Sequence, residues 1–203
     1  DLQIDEQPPL KAAGDIAGGV NGNITWTIDA SGKLTVDGTG DINNGLDWWG
    51  NYCETITSAV VNVTGMTNAN NMFANCTSLS SVDFSGFDTS SITSMASMFK
   101  GCSNLQNLDI SGFTTSNVLD MNGMFLDCSS LRNIDVSSFD TSNVKSIGGM
   151  FSGCSSLTSI NVSGFDVGNV TNMNGVFLGC EGLESLDVSG FETNNVTDMS
   201  CMF

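Results

Sequence analysis

The sequence predicts a single elongated solenoid of stacked 26-residue units, and three columns of residues predict it. Cys76, Cys102, Cys128, Cys154 and Cys180 recur at that interval. So do Phe73, Phe99, Phe125, Phe151, Phe177 and Phe203, with a second aromatic column at Phe87, Phe113, Phe139, Phe165 and Phe191. Leu79, Leu105, Leu131, Leu157 and Leu183 form the third. A unit this short cannot bury its own apolar face. Copies piled in register bury it against one another.

The columns set the boundaries. Residues 74–203 hold five complete units: 74–99, 100–125, 126–151, 152–177 and 178–203. A degenerate unit, 46–73, precedes them and ends in Met72-Phe73. Residues 16–45 read as a cap, and 1–15, with Pro8-Pro9, as a polar leader expected to be disordered.

Within a unit the periodicity changes. Met95, Met98, Phe99 and Cys102 stand at i, i+3, i+4 and i+7, which predicts a brief helical turn. Leu105, Leu108 and Ile110 then alternate with an outward Asp109, which predicts a short strand. Gly112-Phe113 turns the chain and sends the ring inward. Val118 to Met121 is a second, shorter extended stretch. Asn117, Asn143, Asn169 and Asn195 sit where a side-chain amide can satisfy turn backbone.

Ahead of the array, Ile24–Ile28 and Lys33–Val36 alternate as two strands joined by Asp29-Ala-Ser-Gly32. A hairpin there covers the open edge of the first rung. Trp48, Trp49 and Tyr52 are expected to seat it on the array.

The motif L-x-x-(L/I)-D-(V/I)-S-x-F resembles the leucine-rich repeat, with Phe in place of its terminal polar residue. The preceding M-F-x-x-C-x-x-L resembles the A-F-x-x-C-x-x-L of the BspA-like subclass of bacterial surface proteins. The segment Asn23 to Gly40 looks like the cap that often precedes such arrays. The resemblance covers 74–203 unit by unit and 46–73 loosely. It implies a leucine-rich-repeat solenoid, a right-handed β-α/β superhelix of short parallel strands with brief helical turns and an N-terminal β-hairpin cap. It further implies a bacterial, extracellular or cell-surface location and adhesion to an extracellular or host protein.

Composition narrows the function classes. Of the charged residues 22 are acidic and 5 basic, a formal charge of −17 that repels nucleic-acid phosphates and anionic membranes and favours cations or a basic partner. No stretch is apolar for long enough to span a bilayer, so no membrane insertion is expected. With no histidine, the commonest general base and metal ligand are both missing. Every polar group also recurs on each rung, whereas an active site needs unlike residues converging once. The expectation is a protein that is not an enzyme and carries no cofactor and no metal.

Rungs about 4.7–4.9 Å apart hold like-facing Cβ atoms slightly beyond the ~3.5–4.5 Å that a disulfide requires. The cysteine column therefore predicts buried thiols packing as small hydrophobes. Cys53 roughly continues that column, three residues out of register, and Cys201 falls outside it. Met72, Met95, Met98, Met121, Met124, Met150, Met173, Met199 and Met202 are expected in the core, where Ile147 and Val176 replace them freely.

The outward position of the main strand carries Asp83, Asp109, Asp135, Asn161 and Asp187. Ser81, Asn107, Asn133, Ser159 and Ser185 flank them on one side, and Ser85, Ser111, Ser137, Ser163 and Ser189 on the other. Carboxylates repeated at rung spacing repel, so hydroxyl hydrogen bonds, a cation or a basic partner must offset them. This Asp/Ser face is the candidate partner-binding surface. A further acidic column, Asp88, Asp140, Asp166 and Glu192, is expected to be solvated. Two remote alternatives are calcium binding by the Asp column and ordered-water (ice) binding by Thr89, Thr115, Thr141 and Thr193, which Val167 interrupts. A passive stalk for another domain is the alternative from a different class. Because the chain ends at Met202-Phe203, the exposed rung there predicts either a fragment of a longer array or end-to-end pairing of copies.

Overall fold

The computed structural model describes residues 12–42 and 49–203. The polar leader, apart from residues 12–15, lies outside the described residues, as do Trp48 and the boundary between cap and first unit.

The cap is a three-stranded antiparallel meander, one strand more than the alternation of the sequence predicts. β1 (Ala17–Asn21) pairs with β2 (Asn23–Ile28), and β2 with β3 (Lys33–Thr39). Ala-Gly-Gly-Val-Asn carries no alternation, which is why β1 is silent in the sequence. Its Gly19 leaves room for the Trp26 indole, since a Cβ there would meet Nε1 at 2.8 Å. The turn between β2 and β3 closes as expected. Asp29 Oδ1 accepts the amides of Ser31 (2.8 Å) and Lys33 (3.0 Å) and the Ser31 hydroxyl (2.6 Å).

β3 then pairs in parallel with β4 (Ser58–Thr64), and β4 with β5 (Ser81–Asp83). The cap thus continues the main sheet of the array and removes its first edge. Trp49, buried, lies between Trp26 (centroids 6.4 Å) and Phe73 (5.7 Å), and Tyr52 packs on Trp26 at 6.0 Å. These aromatics join cap to array. A 3-10 turn, Gly50–Tyr52, leads from them to Cys53.

The array is the expected solenoid. Parallel strands recur along one side, with β6 (Asn107–Leu108) beside β7 (Asn133–Ile134). A second ladder runs the length of another side through single bridges joining Asn68, Ser94, Asp120, Ser146, Asn172 and Asp198 in sequence. That ladder is the predicted stretch from Val118 to Met121 and its equivalents.

The brief helical turns are corrected. Among the described residues there is no α-helix, and none is long and apolar enough to cross a membrane. Between Met95 and Cys102 the amides alternate. Those of Met95, Ser97, Phe99 and Gly101 donate to Asp120, Asn122, Met124 and Leu126 of the next rung at 2.7–2.9 Å. Those of Met98, Lys100 and Cys102 donate three residues back at 3.0–3.2 Å. A helix would direct every amide within its own segment. Here the stack takes every second one, and the chain turns left-handed at Ser97 (φ 56°) and Gly101 (φ 73°) to allow it. The apolar stripe still faces inward, so the spacing that mimics a helix is a packing requirement only.

The core is built of the predicted columns. Phe73, Phe99, Phe125, Phe151 and Phe177 form a continuous stack with centroids 5.6–5.8 Å apart and planes within 9°. Cys76, Cys102, Cys128 and Cys154 are fully buried beside it and Cys180 is half-buried. Met199, expected inside, is 43% exposed on the last described rung, which has no following rung against it in this stack of residues 74–203, whereas Met173 one rung earlier is buried.

Candidate functional site

The outward residues of the main side lie where the strand alternation predicts. Asp83, Asp109, Asp135, Asn161 and Asp187 are exposed, as are Ser85, Ser111, Ser137, Ser163 and Ser189. Each Asp or Asn closes the turn that leaves the strand. Its Oδ1 accepts the amide of the serine two residues on, at 2.9–3.1 Å in all five units. The hydroxyls of Ser111 and Ser163 add bonds to Asp109 (2.7 Å) and Asn161 (2.8 Å). The repeated D-x-S spacing is the signature of this side-chain-to-backbone turn.

These bonds favour the ionised carboxyl. The serine hydroxyl and then the serine amide hold Asp109, Asp135 and Asp187 below the ordinary value of 3.8. Asp83 is lowered too, chiefly by the Ser85 amide. The face therefore stays negative at neutral pH.

Two shallow depressions indent it. One, of about 400 Å³, lies between the units of Asp83 and Asp109, with Val82, Phe84 and Phe113 forming its apolar floor. The other, of about 490 Å³, spans three units through Val82, Leu108 and Ile134, with Asp109 and Asp135 on its rim. The face thus offers apolar contacts ringed by carboxylates and hydroxyls.

The other recurring polar columns are engaged inside the stack. Thr89, Thr115 and Thr141 are buried, and their hydroxyls donate to the carbonyls of Thr114, Asp140 and Asp166 on the next rung at 2.9–3.2 Å. Val167, buried at 1%, takes the same place one unit later, and Thr193 is half-buried. This corrects the reading of that column as a flat ice-binding surface. The threonines face inward because each satisfies backbone of the neighbouring rung.

Asn117, Asn143, Asn169 and Asn195 do satisfy turn backbone, but on the preceding rung. Their amides donate to the carbonyls of Ser90, Ser116, Ser142 and Gly168 at 2.6–2.9 Å. Asp88, Asp140 and Asp166 are exposed and cap a second corner, accepting the amides of Ser90, Ser142 and Gly168. Asp41, which the sequence does not single out, ties the cap to the second ladder. Its carboxylate accepts the Thr67 amide and hydroxyl (both 2.6 Å) and the Asn68 amide (3.1 Å).

The thiols of Cys102, Cys128, Cys154 and Cys180 donate to the carbonyls of Phe73, Phe99, Phe125 and Phe151 at 3.0–3.2 Å. Burial pushes the Cys128 thiol up to about 12 and Cys180 to about 11, so they remain protonated and unreactive. Among the described residues no group of three His, Cys, Asp or Glu side chains comes together as a metal site would require.

Three solved structures resemble this chain. A leucine-rich cell surface protein from Faecalibacterium prausnitzii A2-165 shares 18% identity over 91% of this chain and 55% of its own, with a TM-score of 0.44. A leucine-rich-repeat protein from Eubacterium ventriosum ATCC 27560 shares 21% identity over 90% and 45%, with a TM-score of 0.42. The T. pallidum leucine-rich-repeat protein shares 15% over 76% and 84%, with a TM-score of 0.41. The chain spans about half the length of the first two. No curated protein matches it. The profile of one family matches residues 53–160 and 131–203, which together are most of the chain. The protein therefore belongs to the family described as Mycoplasma protein of unknown function, DUF285.

Proposed function

We propose that this chain is a non-catalytic binding module of the BspA-like leucine-rich-repeat kind, displayed outside a bacterial cell, and that its Asp/Ser face engages a basic extracellular or host protein. The location and the adhesive role rest on the resemblance of the M-F-x-x-C-x-x-L units to that subclass. One structural observation supports the choice of face. Asn161 closes its turn with the same Oδ1-to-amide bond (3.1 Å) that Asp83, Asp109, Asp135 and Asp187 make. The turn needs an oxygen acceptor and not a charge, yet four of the five units carry a carboxylate, against the repulsion this costs. Beyond strengthening the bonds of each turn, the charge is available to attract something outside the fold. Carboxylates beside shallow apolar depressions suit a basic protein surface, and their repetition suits multivalent attachment of modest affinity per rung.

The test compares wild type with the double variant Asp109→Asn, Asp135→Asn. Proteins retained from serum and matrix extracts are measured at low and high salt. The variant folds normally, because Asn161 already makes the same bond, and loses the salt-sensitive fraction. Equal retention by both proteins defeats the assignment of this face.

A further inference from the structure

Cys53 and Cys76 bring their sulfurs to 2.9 Å. No other thiol bond in the ladder has that form, for in the later rungs the cysteine donates to the phenylalanine carbonyl 29 residues before it. Cys76 meets a second sulfur instead, because Cys53 lies 23 residues earlier and out of the 26-residue register. We propose that Cys53 and Cys76 form a redox pair whose disulfide locks the capped end of the solenoid to its first regular unit.

A disulfide bond measures about 2.05 Å, so closing the pair moves the sulfurs together by about 0.9 Å. Cys53 follows the 3-10 turn Gly50–Tyr52, whose neighbours Trp49 and Tyr52 seat the cap. Cys76 packs in the core of the array. The bond therefore joins the degenerate unit, on which the cap is seated, to the first regular unit. The loop it closes also restricts the unfolded chain.

The chemistry requires a disulfide as the oxidant. Cys53, 8% exposed against 0% for Cys76, is the less buried of the two residues and the one taken to meet the oxidant first. Its thiolate attacks one sulfur of the oxidant, a mixed disulfide forms and one thiol leaves. Cys76 then gives up its proton, attacks Cys53 Sγ and releases the second thiol. Two cysteines are oxidised and one disulfide is reduced to two thiols. The hydrogen bond to Cys53 and burial push the Cys76 thiol up. None of this depends on what the outer face binds.

The purified chain is equilibrated with oxidised or reduced glutathione, its free thiols are alkylated after denaturation, and unreduced peptides are mapped by mass spectrometry. The oxidised sample yields a peptide linking Cys53 to Cys76, two hydrogens lighter than its parts, with Cys102, Cys128, Cys154 and Cys180 alkylated. Alkylation of both Cys53 and Cys76 in that sample, or their linkage to other cysteines, overturns the proposal. As a second measurement, dithiothreitol lowers the Tm of the oxidised wild type by several degrees and leaves that of Cys53→Ser unchanged. An equal response in the two proteins also overturns it.

Discussion

The hydroxyl of Thr115 donates to the carbonyl of Asp140 at 3.0 Å and accepts the amide of that same residue at 2.8 Å. One buried side chain thus satisfies both backbone groups of a residue on the next rung. Thr115→Val keeps the shape, as the buried Val167 of the same column shows, and strands those groups. It is expected to cost about 1–3 kcal/mol in urea denaturation. Val167→Thr, which adds the missing bond, should gain up to about 1 kcal/mol. An unchanged midpoint for Thr115→Val would mean that the bond contributes nothing.

The phenylalanine stack predicts a larger loss. Phe125 is fully buried between Phe99 and Phe151, each 5.6 Å away. Phe125→Ala opens a cavity with rigid rungs on either side and should cost about 3–5 kcal/mol. Phe203, 70% exposed at the end of the same stack, should lose far less when truncated. Parallel denaturation curves for the two alanine variants decide between a continuous spine and independent contacts.

Backbone handedness can be tested without steric conflict at Gly149. Its φ is 62°, and a Cβ there meets only Ser152 Cβ, at 4.0 Å. Gly149→Ala therefore isolates the left-handed strain, expected at about 1 kcal/mol. Ser97 holds the equivalent place at φ 56°. Ser97→Gly relieves strain that exceeds the added chain entropy, so its Tm should rise. A fall in Tm for Ser97→Gly would refute the alternation of left-handed turns as a source of strain.

Acid should weaken the fold through the same carboxylates that shape its corners. Burial alone would push the Asp41 carboxyl up, but the bonds from Thr67 and Asn68 outweigh it and hold the group below 3.8. Serine bonds likewise lower Asp109, Asp135, Asp140 and Asp187. A depressed carboxyl stabilises the fold fully above its unfolded value, and that stability disappears as pH falls through the lower folded value. Tm should therefore decline below about pH 4. Asp41→Asn should lie lower at neutral pH and converge on wild type in acid. Curves that stay parallel down to pH ~2 would remove Asp41 from this account.

Much of the site was legible because alternation reports which way a strand residue points. Asp109 lies outside and Leu108 and Ile110 inside, as period 2 requires. The threonine column leaves ice binding open as a remote alternative in the sequence, because composition alone does not distinguish an outward hydroxyl from one turned inward to a neighbouring backbone. β1 was missed because Gly18 and Gly19 carry no pattern, although Gly19 exists to admit Trp26.

The sequence by itself determined that the units stack and which columns are buried, because apolar periodicity records the inside of a chain that cannot hide its own face. Only the tertiary structure decided where the amides go. Met95 bonds to Asp120, Thr115 to Asp140 and Cys76 to Cys53 across 23–25 residues. These partners lie in neighbouring rungs, so the alternate turns, the buried threonines and the facing sulfurs exist only once the rungs are in contact.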